Sequence, residues 1–192
     1  MFEQSKWFFN EFNTLFKEGS IYQKKAIECY AHNTEFTNFI IERINAIIAS
    51  KNYFSQNEYF RIDAMGYTTK WKSLKKIRGF NPHLWDLQIV VEHENDSKDW
   101  LDEVIKLAHI CCPLRVVIGY VPMKNRDIAD EKLLNYSAKA LQLLQCKDNL
   151  KIGEFMVVLG NSRTKKPDDY FNYRAYVLNS ETLTFENLEK HN

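Results

Sequence analysis

The sequence lacks the marks of several common protein classes. No apolar run in its 192 residues approaches the roughly 18–20 that a membrane span needs. Met1 is followed by a mixed aromatic and charged segment and not by the apolar stretch of a secretory leader, so the expectation is a soluble, cytoplasmic protein with no membrane partner. There is no glycine-rich phosphate loop, which argues against nucleotide hydrolysis and against a dinucleotide cofactor. No arrangement of serine, cysteine and histidine suggests nucleophilic catalysis. The four cysteines (Cys29, Cys111, Cys112, Cys146) form no C-x-x-C pair. They read as small buried thiols in a reducing compartment, with neither zinc nor disulfides expected. The formal net charge is +1, so any contact with nucleic acid must rest on local clusters of cations. Internal repeats and linkers are absent as well.

What is present suffices for one well-filled core: 45% of residues are hydrophobic and 14% aromatic. The expected organisation is a single domain over 1–192, helical over about residues 1–50 and α/β over about 51–180.

The stretch that organises the rest is Trp85-Asp86-Leu87-Gln88-Ile89-Val90-Val91-Glu92-His93-Glu94. The mainly apolar stretch Leu87–Val91, broken by Gln88 and rich in β-branched residues, predicts a buried strand. Alternation along a strand sends Glu92 and Glu94 to one face and His93 to the other. Two carboxylates at the carboxyl end of a buried strand need a cation, or one of them must hold a proton. A hard divalent ion suits such oxygen donors. The competing reading puts both on the solvent face of a half-exposed strand.

Upstream, Phe8, Phe12 and Leu15 predict a helix over residues 2–18 that stops at Gly19. A second helical region runs from Ile21 to Ala49 with a break near His32-Asn33. Its stripe is Phe36, Ile40, Ile44, Ile47 and Ile48, and Glu35 and Glu42 lie on the other side. Tyr59 to Tyr67 reads as a strand with an unusual interior acid, Asp63, either a functional group or a partner for Arg61. Residues 97–111 read as a helix capped by Asp96 or Ser97, with a buried stripe of Leu101, Val104, Ala108 and Cys111. Asp99, Glu103 and Lys106 share a second stripe. Strands follow at 114–120, 155–160 and 173–178, with a helix over 130–145 and a polar tail after the last strand. Strand, helix, strand over 85–120 implies a parallel crossover. The fold class is therefore α/β, a mixed central sheet flanked by helices, with N-terminal helices.

Lys70, Lys72, Lys75, Lys76 and Arg78 fall within nine residues that include Trp71 and no acid. Arg163, Lys165 and Lys166 form a second basic patch. Either is an ordinary solvated face or a contact for a phosphate backbone.

An acid within a strand, then a strand ending in acid-x-acid, then a helix and a parallel strand: this order resembles the PD-(D/E)xK nuclease superfamily, the restriction-endonuclease-like fold. The residues that carry the likeness are Asp63 in Arg-Ile-Asp-Ala-Met-Gly-Tyr and Glu92-His93-Glu94 in Val-Val-Glu-His-Glu-Asn. The resemblance implies antiparallel strands holding Asp63 and Glu92, both ligating Mg²⁺ or Mn²⁺, with the backbone carbonyl of His93 as a further ligand. It implies hydrolysis of nucleic acid, DNA before RNA, by an activated water, and a homodimer would suit a cutter of both strands. Two positions depart from the family pattern. Glu94 stands where the family has lysine, and Ile62 stands where a proline often precedes the first acid. Lys106, on the following helix, is the candidate to replace the missing lysine, and Glu94 the other group to orient or deprotonate the water. Glu42, with Glu35 second, is the candidate for the glutamate that the family often carries on an early helix. Two other readings stand beside this one: a fold of the same kind that has lost catalysis and binds nucleic acid or protein, and an unrelated α/β domain whose acids are structural.

Overall fold

The computed structural model describes residues 2–17, 19–69, 85–95, 100–121, 126–161 and 171–191. Three helices come first: α1 (Glu3–Thr14), α2 (Ile21–Cys29) and α3 (Asn33–Ser50). The break expected near His32-Asn33 separates α2 from α3, and His32 is the extended residue that opens α3. Gly19 sits past α1 at φ +80°, a left-handed conformation that costs glycine little. Among the described residues seven strands then form one sheet in sequence order, β1 (Phe54–Tyr59), β2 (Ile62–Thr69), β3 (Trp85–His93), β4 (Leu114–Val121), β5 (Glu154–Asn161), β6 (Arg174–Asn179) and β7 (Thr184–Asn187). β1, β2 and β3 are antiparallel neighbours, β3, β4 and β5 run parallel, and β6 and β7 close the far edge antiparallel. The parallel pairs are bridged by α4 (Trp100–Ala108) and α5 (Arg126–Leu143). This is the mixed, helix-flanked α/β sheet expected from the pattern.

Strand alternation divides the core into two layers. On one face, Val91, Val116, Ile118, Met156 and Val158 pack against Phe8 and Phe12 of α1 and Phe36, Ile40, Ile44 and Ile48 of α3. On the other, Met65, Val90, Val117, Val157 and Leu159 pack against Trp100, Val104 and Leu107 of α4 and Leu134 and Leu141 of α5. Each fully buried side chain of this size contributes about 1.5–3 kcal/mol. Gly119 lets α4 come close: a Cβ there would stand 2.9 Å from Cγ of Trp100.

The structure corrects several local expectations. Tyr59–Tyr67 is not one strand; a two-residue turn at Phe60-Arg61, both at positive φ, ends β1 and starts β2. β6 is not the last strand; the polar tail after it forms β7 and a 3-10 turn at Leu188–His191. The stripe of α4 is Trp100, Val104, Leu107 and Ala108; Leu101 is half-buried and Cys111 exposed. Of the four thiols Cys112 is buried, Cys29 and Cys146 are half-buried and Cys111 is exposed, so burial is not their common property. The basic residues Lys70, Lys72, Lys75, Lys76 and Arg78, the patch Arg163–Lys166, and the capping residues Asp96 and Ser97 lie outside the described residues. Among the described residues no helix is long and apolar enough to cross a membrane.

Candidate active site

Two acids meet because β2 and β3 are antiparallel. Ala64 pairs with Val91, which brings the start of β2 beside the end of β3. Asp63 shares its strand face with Met65, and Glu92 shares its face with Val90, so both side chains stand on the side that α4 covers. Glu58, Arg61, Asp63, Glu92, His93, Glu94, Glu103 and Lys106 line a cavity of about 240 Å³ there. Glu92 and Glu94 thus share one site, as their spacing predicts. His93 points to the opposite layer, where its Nε2 lies 2.9 Å from the Tyr120 hydroxyl. That hydroxyl lies 3.1 Å from the hydroxyl of Tyr173. Burial pushes the His93 imidazole down to about 3, so its side chain stays neutral. Its backbone serves the site: the His93 N–H donates to Oδ2 of Asp63 at 2.7 Å.

Lys106 reaches the acids from the helix. Its ammonium lies 2.8 Å from Oε1 of Glu92, pairs also with Glu103 one turn back, and donates to the Arg61 carbonyl at 2.9 Å. Burial works against its charge, but the hydrogen bonds to Glu103 and Glu92 outweigh that and hold its pKa above the ordinary lysine value. Glu92, 2% exposed, is pushed up to about 8. Burial is the main cause; the Lys106 hydrogen bond opposes it, while Asp63 and Glu103 reinforce it. Asp63 is also raised, first by burial and then by Glu58 and Glu103, against the pull of the His93 N–H and Lys106.

Among the described residues the cavity is short of positive charge, with five acidic side chains facing two cations. That donor set fits a hard divalent cation: two carboxylates from adjacent strands, oxygen throughout, with Asp63 already oriented by a backbone N–H. Among the described residues no three side chains of histidine, cysteine, aspartate or glutamate form a ready metal cluster. Such an ion would take Asp63 and Glu92 and complete its shell with backbone carbonyl and water.

Glu42 is exposed, pairs with its neighbour Arg43 and does not line the cavity; Glu35 is exposed and does not line it either. Thr69 and Trp85 pair at the end of β2 and β3 that lies away from the acids. Three cavity residues lay outside the sequence-based set. Glu103 had been visible as the stripe-mate of Lys106, whereas Glu58 and Arg61 depend on the unforeseen hairpin. Comparison with protein-family models and with curated proteins gives no match to this chain.

Proposed function

We propose that this chain is a divalent-metal-dependent phosphodiesterase acting on nucleic acid, DNA in the first instance, at the Asp63–Glu92 cavity. The observation that carries the reading is the placement of Lys106. An ammonium delivered by α4 stands 2.8 Å from a buried glutamate on β3, beside an aspartate on the neighbouring antiparallel strand. It supplies from the helix the cation that Glu94 leaves absent from the strand. This constellation and the order of elements around it are those of the PD-(D/E)xK resemblance.

Asp63 and Glu92 are the residues that would hold Mg²⁺ or Mn²⁺, with the His93 carbonyl beside them. Such an ion lowers the pKa of a bound water and neutralises charge building on the phosphoryl oxygens. The His93 N–H holds Oδ2 of Asp63 in place. Lys106, paired with Glu92 at 2.8 Å, would meet the scissile phosphate with its charge and orient the attacking water. Glu103 fixes Lys106 from the same helix face. Glu94, which also lines the cavity, would be the second group to orient or deprotonate that water.

The test incubates the purified protein with plasmid, linear and single-stranded DNA and with RNA, in Mg²⁺, Mn²⁺ or chelator, beside Asp63→Ala and Glu92→Ala. Metal-dependent cutting by the native chain that both substitutions abolish is the expected result. No cutting by any form, together with no calorimetric binding of Mn²⁺, overturns the reading and leaves a non-catalytic α/β binding module.

A further inference from the structure

The β1–β2 hairpin exposes aromatic surface that folding does not use. β1 is exposed along almost its whole length, and Ser55, Gln56, Asn57 and Glu58 suit that exposure. Yet Phe54 at its start and Phe60 in the turn are 58% and 78% exposed. These two are the ends of one ribbon of ring contacts. Phe60 lies 4.5 Å from Tyr59 between ring centres, and Tyr59 lies 5.0 Å from Trp85. Trp85 stacks on Tyr67 at 4.0 Å with planes 15° apart, and Tyr67 lies 5.7 Å from Phe54.

The Phe60 end of the ribbon is the rim of the acid cavity. Arg61 and Glu58, on either side of Tyr59-Phe60, both line that cavity. The backbone here is unusual: Glu58, Phe60 and Arg61 stand at φ +53°, +52° and +61°. A tight hairpin turn of this hand favours asparagine and glycine, so Phe-Arg is not what turn stability alone would select. The turn sets the exposed ring of Phe60 beside the cavity-lining Arg61, and strained backbone of this kind clusters at functional sites.

We propose that this hairpin is a stacking platform for the unpaired bases of a single-stranded nucleic acid, with Arg61 holding the backbone phosphate that enters the cavity. The inference rests on the phosphodiesterase reading and narrows its substrate to single strands or unpaired ends. An aromatic face receives a base only when that base is unstacked, and a duplex hides its base faces. A guanidinium offers a planar fork matched to phosphate. An apolar ligand or a peptide would use the rings but would leave Arg61 at the rim without an anion to bind.

The experiment is fluorescence anisotropy of end-labelled oligonucleotides in Ca²⁺, which offers a hard cation for oxygen ligands. The native chain, Phe60→Ala, Phe54→Ala and Arg61→Gln are titrated against an unpaired strand, the matching duplex, and an abasic strand of the same length. Melting curves of the variants check their folding, which the exposure of Phe60 leaves intact. The native chain binds the unpaired strand more tightly than the duplex or the abasic strand. Phe60→Ala weakens binding of the unpaired strand by about 5- to 150-fold, the worth of one stacked base, and leaves the abasic strand unchanged. Arg61→Gln weakens both strands and lowers the salt dependence by about one phosphate contact. Equal affinity for unpaired and abasic strands, or no effect of Phe60→Ala, overturns the platform. Metal-dependent cutting of duplex that Phe60→Ala leaves untouched also overturns it while keeping the phosphodiesterase reading. Phe60-dependent binding without any metal-dependent cutting keeps the platform and removes that reading.

Discussion

Lys106 on α4 and Glu92 on β3 stand 2.8 Å apart, Nζ to Oε1, with the carboxylate 3% and the lysine side chain 32% exposed. The lysine thus bridges water and a buried acid. Its removal takes the cation from a carboxylate that is almost wholly buried. Lys106→Met lowers stability by about 1–3 kcal/mol at pH 8 and by less at pH 5, where Glu92 is protonated and needs no cation. Denaturant unfolding at the two pH values measures the difference. If the phosphodiesterase reading holds, the same substitution slows cutting by about 100-fold or more.

Glu92 and His93 give the protein two opposed limbs of pH dependence. Glu92 titrates at 4.5 when unfolded and at about 8 when folded, so the folded state binds the extra proton between those values and stability falls as pH rises. His93 titrates at 6.5 when unfolded and at about 3 when folded, so the unfolded state binds the extra proton and stability rises with pH over that range. Glu92→Gln flattens the decline above pH 6.5 and raises Tm at pH 8 by a few degrees, at about 2–4 °C per kcal/mol. His93→Leu flattens the rise below pH 4.5. Melting curves of the three proteins from pH 3 to 9 check both limbs, and parallel curves for all three would refute them.

Tyr120 joins His93 to Tyr173 inside the first layer, at 2.9 Å and 3.1 Å. Tyr120→Phe keeps the ring contacts with Phe36 and His93 and deletes the shared hydroxyl. Two buried polar atoms lose their partner, at a cost of about 1–3 kcal/mol. Urea unfolding reads the loss; an unchanged midpoint would show that water replaces the hydroxyl.

Gly66 is where α3 meets the strand that carries Asp63. A Cβ at this position would stand 2.7 Å from Cγ2 of Ile48 on α3 and 2.7 Å from Cγ2 of Ile89 on β3. Gly66→Ala overpacks the layer and destabilises by about 1–3 kcal/mol. Tm reads this directly, and a Tm equal to that of the native chain would show that Ile48 and Ile89 move aside freely.

The readable parts of the fold were those written in local periodicity. The isoleucines of α3, the valines of β3 and β4, and the split at His32 follow from spacing alone. β1 was not readable as a separate strand, because Ser55 to Glu58 do not alternate and Phe60-Arg61 is not a turn dipeptide by composition. The first acid was legible as an oddity within a strand, the second as the end of an apolar run. Their three neighbours Glu58, Arg61 and Glu103 were not assigned, since each joins the cavity through an angle between elements and not through a pattern within one.

By itself the sequence determined the order of the elements apart from β1 and β7, the alternation of faces along β3, and therefore that Glu92 and His93 part company while Glu92 and Glu94 stay together. Those outcomes need only the two-residue period of a strand. Whether Lys106 was an ordinary surface lysine or a partner of Glu92 was undecided at that level, since a position along a helix fixes a height and a direction but no distance to another element. Tertiary packing decided it. Trp100 rests on Gly119, α4 lies close against β3 and β4, and the face that carries Glu103 and Lys106 turns toward the two acids. A contact between elements is set by how the core side chains between them fill space, and that is a property of all of them at once.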